Sequence, residues 1–541
     1  WGLVEVTDAA TGVAIKDDLV SALSINSYVT YQWFRVDVAG VATPPEAIIA
    51  RCGDGPIGVG IEETFDGSGS LPGSAPIGAY EWDFDYDGTT FAVDASGPVV
   101  QHAFTAAGTP TVALRVTAGS SSDIATLGMQ INGTPLWSGP TNLTTNTVYD
   151  AFLQHRVPAD GLSVTPDGTM HVVYHRRAAL NGQYTVIHQM LPPCSATWTP
   201  EAIVYDTTLP ISAFANVASC ATADGSVHAV FGYANGEYGY SRYSAGAWSP
   251  AFQAVTRPAS NPTWWMVTIA GTPAGEAAIL AAGHRYDQPN VMQTTGVPAV
   301  PSEAWFTERA LDGTWGTLTL VGQMDTVVTY APGSHSWWDE RVTLAGLNGG
   351  EWMGVWASLR TPHTGNGPVG SDLKLKWART TAGAWAPQTD LYEASPGTQL
   401  SNPNLATAPN GDCWLALKEN SGIATAVYRA GAWSATRATA YTNGSGSDGY
   451  ANLAFDADGR GTLAVLFADG SALGLTAKRF PQSAQPADLL AAPAESIYGS
   501  QSFLQRSLAV EGRGDGRLVA VVNTERTATY EGREIEWFRF E

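Results

Sequence analysis

The stretch Asp167-Gly168-Thr169-Met170-His171-Val172-Val173-Tyr174 joins a tight turn to an apolar strand. Glycine tolerates the positive φ of such a turn, and short alternating runs bounded by turn residues are typical of β-strands. The arrangement recurs at intervals of roughly 50 to 75 residues, a period that indicates a repeated structural unit. The turns are Asp167-Gly168, Asp224-Gly225, Ala274-Gly275, Asn348-Gly349, Asn410-Gly411, Asp458-Gly459 and Asp515-Gly516.

A tryptophan follows a second tight turn in most repeats. The examples are Ala245-Gly246-Ala247-Trp248, Asp312-Gly313-Thr314-Trp315, Ala382-Gly383-Ala384-Trp385 and Ala430-Gly431-Ala432-Trp433, and Trp198 has the same place in the first repeat. Helical periodicity is nearly absent, and four short strands per repeat are typical of a propeller blade. The sequence therefore predicts an all-β protein with a seven-bladed β-propeller at residues 133–541.

The two ends of the repeat region complement each other. The seventh repeat stops after its third strand, Glu534 to Phe540, and a strand with the missing tryptophan lies near Trp137. We expect these two strands to pair, because a propeller closed in this way leaves no open sheet edge. The sixth repeat lacks the tryptophan. An arginine that ends the third strand in six repeats is predicted to be structural: Arg242, Arg309, Arg379, Arg429, Arg479 and Arg539.

The composition excludes several classes of function. The chain carries 50 acidic and 28 basic residues, a formal net charge of −22, and nucleic acid or an anionic membrane would need a basic surface. No apolar run is long enough for a membrane helix, and the first residues do not resemble a signal peptide. The excess of Arg over Lys, 23 against 5, in an Ala-rich chain hints at a bacterial source.

Residues 44–132 resemble a PKD (polycystic-kidney-disease) domain, an immunoglobulin-like sandwich. The resemblance rests on Phe65-Asp66-Gly67-Ser68-Gly69-Ser70, Tyr80-Glu81-Trp82-Asp83-Phe84-Asp85, His102-Ala103-Phe104 and Gly108 to Val116. Trp82 is expected in the core, with Val112, Leu114 and Val116 alternating inward. Such domains usually space or orient other modules of extracellular proteins, so the resemblance implies an extracellular or cell-surface location. Residues 1–43 contain strand-like stretches of no recognised family and form a predicted β extension.

Asp83-Phe84-Asp85-Tyr86-Asp87-Gly88 also has the spacing that begins a calcium-binding loop. Asp83, Asp85 and Asp87 are therefore candidate Ca²⁺ ligands. The alternative is a structural role for the family's Trp-Asp motif, since no glutamate follows at the twelfth position. No other cofactor is implied.

Two families of carbohydrate-active propellers resemble parts of the repeat region. His155-Arg156-Val157-Pro158, followed by Thr165-Pro166-Asp167-Gly168-Thr169, looks like the Arg-Ile-Pro strand and turn of sialidases, and Leu311-Asp312-Gly313-Thr314-Trp315 resembles their Asp box. By this match Arg156 would hold a sugar carboxylate. The first repeat, with His175 and His188, is similar to propeller lyases of uronate polymers, which implies a His or Tyr base and acid.

The topology of a propeller predicts where a ligand would bind. Loops that enter first strands and loops that join second to third strands share one face. We call this face the mouth. Its basic residues and His suit a sugar carboxylate, and its Trp residues can stack on sugar rings. The predicted substrate-binding residues are His155, Arg156, Arg176, Trp264, Trp265, Arg285, Trp337, Trp338 and Arg341. The predicted catalytic residues are His175, His284, Tyr286 and Glu340, the His and Tyr serving a lyase and Glu340 or Asp339 a hydrolase.

Two functions are therefore open. The first is recognition, extended by cleavage, of an acidic extracellular polysaccharide that contains uronate or sialate, with the PKD domain as spacer. The alternative is a non-catalytic adhesion protein of the cell surface whose propeller binds another protein.

The four cysteines lack the spacing of a metal or redox motif. Cys194 and Cys220 are expected on the same face, opposite the mouth, where they would form either a disulfide or two buried thiols. Cys413, inside a second strand, is expected to be inert. His171 and His228 begin equivalent second strands and are expected to be structural.

Overall fold

The chain is described by a computed structural model. The described residues are 43–52, 55–133, 137–144, 150–152, 161–177, 184–195, 197–206, 217–232, 237–255, 263–285, 300–323, 342–359, 373–392, 400–420, 422–442, 449–469, 472–501, 504–513, 515, 517–525 and 533–540. Most of the predicted N-terminal extension thus lies outside them. They form two compact units. The first contains the described residues up to Pro56, Glu63–His102 and Ala106–Ile131, and the second contains Ile57–Glu62, Ala103–Thr105 and the described residues from Asn132 onward.

The first strands form small antiparallel sheets. They are β1 (Ala50–Arg51), β2 (Ile57–Gly58), β3 (Glu62–Asp66), β4 (Ile77–Asp83), β5 (Ala95–Ser96), β6 (Val99–Ala103), β7 (Thr111–Ala118), β8 (Ser121–Gly128) and β9 (Ile131–Asn132). One sheet has the order β1-β3-β6 and another β5-β4-β7-β8, while β2 pairs with β9. This arrangement fits the predicted sandwich.

An aromatic cluster fills the core of the first unit. Trp82 and Phe65 are fully buried with ring centroids 5.9 Å apart, and the Trp82 indole donates a hydrogen bond to the Gly97 carbonyl at 2.8 Å. Val112, Leu114 and Val116 are also fully buried. The predicted inward residues of this unit are confirmed.

Among the described residues the remaining strands form six sheets, which correspond to seven blades because the strands of blades 1 and 7 share one nine-stranded sheet. Strand β10 (Trp137–Asn142) comes first. Blade 1 contains β11 (Asp150–Phe152), β12 (Leu162–Val164), β13 (Met170–Arg177), β14 (Tyr184–Leu191) and β15 (Ala202–Asp206), and blade 2 contains β16 (Val217–Ala221), β17 (Val227–Gly232), β18 (Tyr238–Ser244), β19 (Ala247–Trp248) and β20 (Phe252–Val255). Blade 3 contains β21 (Thr263–Gly271), β22 (Ala277–Arg285), β23 (Val300–Arg309) and β24 (Thr319–Gln323). Blade 4 contains β25 (Val342–Leu347), β26 (Glu351–Leu359), β27 (Leu373–Thr381), β28 (Ala384–Trp385) and β29 (Thr389–Asp390).

Blade 5 contains β30 (Leu400–Thr407), β31 (Cys413–Glu419), β32 (Gly422–Arg429), β33 (Ala432–Trp433) and β34 (Ala438–Thr442). Blade 6 contains β35 (Gly449–Phe455), β36 (Arg460–Asp469), β37 (Ala472–Pro481), helix α1 (Asp488–Ala491) and β38 (Ala494–Gln501), and blade 7 contains β39 (Leu504–Gly512), β40 (Leu518–Glu525) and β41 (Arg533–Phe540). The all-β prediction is confirmed, apart from this one short helix. No helix among the described residues combines the length and the apolar character needed to cross a bilayer.

Strand β10 pairs antiparallel with β41, as the sequence predicts. Trp137 lies opposite Phe540 and Thr141 lies opposite Trp537. The Trp137 indole also donates a hydrogen bond to Glu495 of blade 6 at 3.3 Å. A strand from the start of the repeat region therefore joins the sheet of the seventh blade.

Edge-to-face aromatic pairs join most neighbouring blades. In each pair a ring at one fixed register of the third strand meets the fourth-strand tryptophan of the next blade, with centroids 4.9–5.9 Å apart and interplanar angles of 71–88°. This geometry is favourable because the positive edge of one ring meets the negative face of the other. The pairs are Trp537–Trp198, His188–Trp248, Tyr240–Trp315, Phe306–Trp385 and Trp377–Trp433.

Blades 5 and 6 have small residues at that register, Thr425 and Ala477. Blade 6 also lacks the tryptophan, as predicted, and helix α1 takes its place in the sequence. Leu489 of α1 is fully buried in the cluster shared with blade 5, and the ammonium group of Lys478 donates to the Leu489 carbonyl at 2.9 Å. A short helix therefore fills the space that an aromatic pair fills elsewhere.

The inner strands are also linked by side chains around the axis. A side-chain oxygen of one inner strand accepts the backbone N–H of the next, which satisfies a donor on the inner sheet edge. Thr343 accepts from Leu405 at 3.1 Å, Asn404 from Leu453 at 2.8 Å, and Asn452 from Val510 at 3.1 Å. Equivalent residues are thus aligned from blade to blade, so the inner strands begin on the same face.

The structure also tests the predictions made for the repeated arginines and for the cysteines. Arg242 pairs with Asp224 at 2.6 Å and Arg429 with Asp412 at 2.7 Å, each within its own blade, which agrees with a structural role. Neither alternative for Cys194 and Cys220 is correct, because Cys220 is a half-buried thiol whereas Cys194 is disulfide-bonded. Cys413 is fully buried, and burial raises its pKa to about 12, so it is inert as predicted.

Replacing Phe306 by alanine tests the aromatic pairs. The substitution removes a buried ring from the joint with Trp385, and we expect a loss of about 3–5 kcal/mol in the free energy of unfolding, measured with urea. Thr425→Ala, at the same register in blade 5, is the control and should cost less than about 2 kcal/mol. Equal losses in the two variants would contradict this role for the pairs.

Deleting residues 133–145 tests the pairing of β10 with β41. The deletion exposes an edge of β41 and removes the Trp137 contacts, so the melting temperature should fall sharply. Trp137→Ala should give a smaller decrease. An unchanged melting temperature in the deletion variant would count against the pairing.

Candidate functional site

The mouth is defined by the described strand ends. Second strands end and third strands begin there, as the pairing of Arg177 with Tyr184 and of Arg285 with Val300 shows. The first strands begin on this face because the inner strands are aligned. His155, Arg156, Tyr286, Trp337, Trp338, Glu340 and Arg341 lie outside the described residues. Their site roles stay predictions.

Four further predicted site residues lie in strands of blade 3 rather than in loops. Trp264 and Trp265 belong to β21, and His284 and Arg285 end β22. The register of β21 shifts between Trp264 and Met266, so Trp265 is at a bulge. Bulges are frequent near binding sites.

His175 belongs to β13, where its backbone pairs with Phe152 and Val186. Its side chain is 1% exposed, and burial lowers the pKa of the imidazole to about 4. The sequence placed His175 in an exposed loop, and this placement is wrong because β13 extends as far as Arg177. The ring is neutral at physiological pH and enclosed by protein.

Arg176 ion-pairs with Glu201, which precedes β15. The other oxygen of Glu201 accepts the Tyr174 hydroxyl at 2.8 Å, and Gln189 lies within 2.8 Å of the same hydroxyl. Desolvation is the main cause that raises the pKa of this buried tyrosine. Arg176 thus has a carboxylate partner within blade 1, which its position in the sequence did not indicate.

Three other described cations, in blades 4 and 5, also have acidic partners. Lys374 lies 2.9 Å from Asp390, and Lys376 lies 3.6 Å from the other oxygen of that carboxylate. Arg437 pairs with Glu419 at 2.5 Å. A ligand carboxylate would compete with these internal pairs if it bound to any of the three cations.

A central cavity of about 340 Å³ lies among the inner strands of all seven blades. Its lining includes Ser163, Ser219, Thr268, Asn404 and Asn452, and none of the predicted site residues. These five side chains are small and polar, which suits bound water, although aliphatic residues also line the cavity. The cavity is distinct from the set of residues predicted at the mouth.

The acidic residues of the first unit form a different group from the predicted one. Carboxylate oxygens of Asp83, Asp85 and Asp94 lie within 4.8 Å of one another. Asp87 instead accepts the backbone N–H groups of Thr89 and Thr90, each at 2.7 Å, and these bonds lower its pKa. Asp94 therefore replaces Asp87 in the candidate set, and calcium binding stays a prediction.

A comparison with protein families identifies the first of the two parts. Residues 44–131 match the family model of the PKD domain, so the predicted resemblance is confirmed. No match was found among curated protein sequences.

Several solved structures are similar to the chain. An ulvan lyase bound to -[GlcA(1-4)Rha3S]- has a TM-score of 0.47 and 8% identity over 72% of this chain and 95% of its own. The sialidase of Trypanosoma rangeli has a TM-score of 0.37 and 9% identity over 74% and 59%. An α-L-arabinanase of Penicillium chrysogenum has a TM-score of 0.36 and 13% identity over 74% and 98%.

A calcium titration separates the two sets of carboxylates. If Ca²⁺ binds, it should raise the melting temperature, because a ligand of the folded state alone stabilises that state. Asp94→Asn should remove this increase. Asp87→Asn should retain it, since the Asp87 carboxylate lies outside the cluster and accepts the backbone N–H of Thr89 in its own turn. An unchanged melting temperature in the wild-type protein would exclude a calcium role for the cluster.

Proposed function

We propose that the propeller recognises an acidic polysaccharide with uronate or sialate units outside the cell, and that the PKD domain serves as a spacer. The observation that carries this proposal is the common face of the strand ends flanking residues 286–299 and 324–341, while residues 153–160 lie between β11 and β12, which pair with the same strand, β13. Residues 153–160 and 324–341 contain five of the nine residues predicted to bind sugar, and residues 286–299 begin with the catalytic candidate Tyr286. Repeat topology therefore favours one binding surface over scattered contacts.

The chemistry of the predicted residues suits an acidic sugar. An arginine guanidinium can form two parallel hydrogen bonds with a carboxylate, and indole rings bury the apolar faces of sugar rings. Because Arg176 is paired with Glu201, the proposal assigns the sugar carboxylate to Arg156, Arg285 and Arg341. Their side chains would supply local positive charge in a protein of net charge −22.

Cleavage is a further step of the same proposal. A general base must reach the proton that it removes, and the burial of His175 argues against such contact. The cleavage hypothesis therefore depends on His284, Tyr286 and Glu340. In a lyase, pairing of the uronate carboxylate with arginine would stabilise the enolate formed by proton removal.

Replacing Arg156 by alanine tests the proposed contact. Loss of a charge-assisted pair, worth about 1.5–3 kcal/mol, should lower the affinity for the acidic glycan about tenfold to a hundredfold. The ligand would first be chosen on an array of uronate and sialate polymers, and affinities measured by calorimetry. Arg242→Ala is the matched control, because Arg242 pairs with Asp224 at the opposite ends of its strands. It should leave the affinity unchanged.

Ultraviolet absorbance of the new double bond tests the lyase step on each glycan that binds. Binding without this product would exclude the lyase step and leave recognition, with or without hydrolysis. Failure of the folded wild-type protein to bind any acidic glycan would contradict the proposal and favour the adhesion alternative.

A further inference from the structure

The joint between blades 1 and 2 has an aromatic pair that can be protonated. In the other described pairs the third-strand ring is Tyr, Phe or Trp, whereas here it is His188, whose ring centroid lies 5.1 Å from that of Trp248. His188 is 2% exposed, as is its neighbour His171. A protonated ring at this joint would be a buried charge.

A continuous chain of hydrogen bonds runs through this joint. The Trp248 indole N–H donates to His188 Nδ1 at 3.1 Å, and His188 Nε2 lies 2.9 Å from His171 Nδ1. His171 Nε2 lies 3.4 Å from the Thr165 hydroxyl oxygen, and that hydroxyl donates to an Asp167 carboxylate oxygen at 2.6 Å. The chain therefore links an outer tryptophan of blade 2 to the Asp-Gly turn of blade 1.

The indole at one end fixes the direction of every bond. An indole N–H can only donate, so His188 accepts at Nδ1 and carries its hydrogen on Nε2. His171 must then accept at Nδ1 and donate from Nε2 to Thr165. Both imidazoles are neutral in this arrangement, and each uses both of its nitrogens.

We propose that these hydrogen bonds, from Trp248 through His188, His171 and Thr165 to Asp167, form an acid-sensitive contact between blades 1 and 2. We call this contact the latch. A proton on His188 Nδ1 would place an N–H against the Trp248 N–H, and a proton on His171 Nδ1 would place one against His188. In either case a hydrogen bond is lost, two donors face each other, and a charge is buried between the blades. The contacts of blade 2 with blade 1 should therefore weaken in acid.

The surroundings of the latch offer little compensation for a positive charge. Asp167 is the charged group that acts on His171, and it already accepts from Thr165 and from the backbone and hydroxyl of Thr169. Strand β18 contributes the neutral ring of Tyr243, 5.6 Å from His171 and 5.0 Å from His188. On β13, burial keeps His175 neutral as well.

The pH range follows from the direction of the shifts. Burial lowers the pKa of His171 to about 4 and that of His188 to about 3, whereas a histidine in an unfolded chain titrates near ~6.5. As the pH falls below ~6.5, the open state takes up protons before the closed state does. The stability of the joint is therefore complete above about pH 6.5 and declines as the pH falls towards about 4.

His228 of blade 2 is a matched control within the same chain. It has the same turn contacts as His171, with Nε2 3.1 Å from the Thr222 hydroxyl, which donates to Asp224 at 2.7 Å. Its Nδ1, however, lies 2.6 Å from the Tyr240 hydroxyl. A hydroxyl can change from donor to acceptor, so a protonated His228 would keep its hydrogen bond.

Hydrogen exchange with mass spectrometry at about pH 7 and about pH 4.5, corrected for intrinsic exchange, tests the latch. Peptides that cover β14 and β19–β20 should exchange about tenfold to a hundredfold faster in acid, as expected from the pKa shifts. Peptides from β31 and β32 of blade 5 should change little.

Two variants test whether His171 and His188 cause the faster exchange in acid. His171→Gln combined with His188→Gln should reduce the acid-induced increase well below that of the wild type, even if the joint is weaker at neutral pH, and the remainder is expected from the buried His175 and His228. His228→Gln, which leaves His171 and His188 in place, should retain most of the increase. Equal protection of the wild-type peptides at both pH values would overturn the proposal, as would an unchanged acid response in the double variant. If the double variant does not fold, the wild-type comparison between blades 1–2 and blade 5 decides.

Discussion

The contact between neighbouring blades is the interaction on which the rest of the propeller depends. Each blade is a sheet that is apolar on both faces, so it is stable only when two neighbours cover it. An edge-to-face pair such as Phe306–Trp385 fixes the distance and angle at which the next sheet packs. Side chains such as Asn404 then satisfy the inner edge, and the strand ends on which a binding surface would be built inherit this alignment.

Much of this architecture could be predicted because its signals are local. The glycine turns and the repeated tryptophans identify blades without any knowledge of long-range contacts. The third-strand partners were not predicted, since His188, Tyr240 and Phe306 are chemically unlike and share only a register. Helix α1 was missed for a related reason, because four residues carry no periodicity, and only the missing tryptophan indicated that blade 6 differs.

The candidate site includes strand pairings and side-chain partners that a single sequence could not predict. His175 and Arg176 were assigned to a loop because they are polar and lie near a strand end, but pairing with β11 and β14 keeps them in the sheet. The partner of Arg176 is Glu201, and spacing alone could not identify it. In the first unit, the DxDxDG pattern includes Asp87, whereas the fold brings Asp94 to the other two carboxylates.

The pairing of β10 with β41 has a consequence for biosynthesis. The hydroxyl of Ser138 bonds to the Arg539 carbonyl across a separation of 401 residues. During translation, β10 leaves the ribosome long before β41 and cannot pair with it until β41 is made. Blades 2 to 6 can form in order as they emerge, while the seventh blade is complete only when β41 has joined β10. Termination before β41 would therefore leave β10 without this pairing, however much of the propeller had already folded.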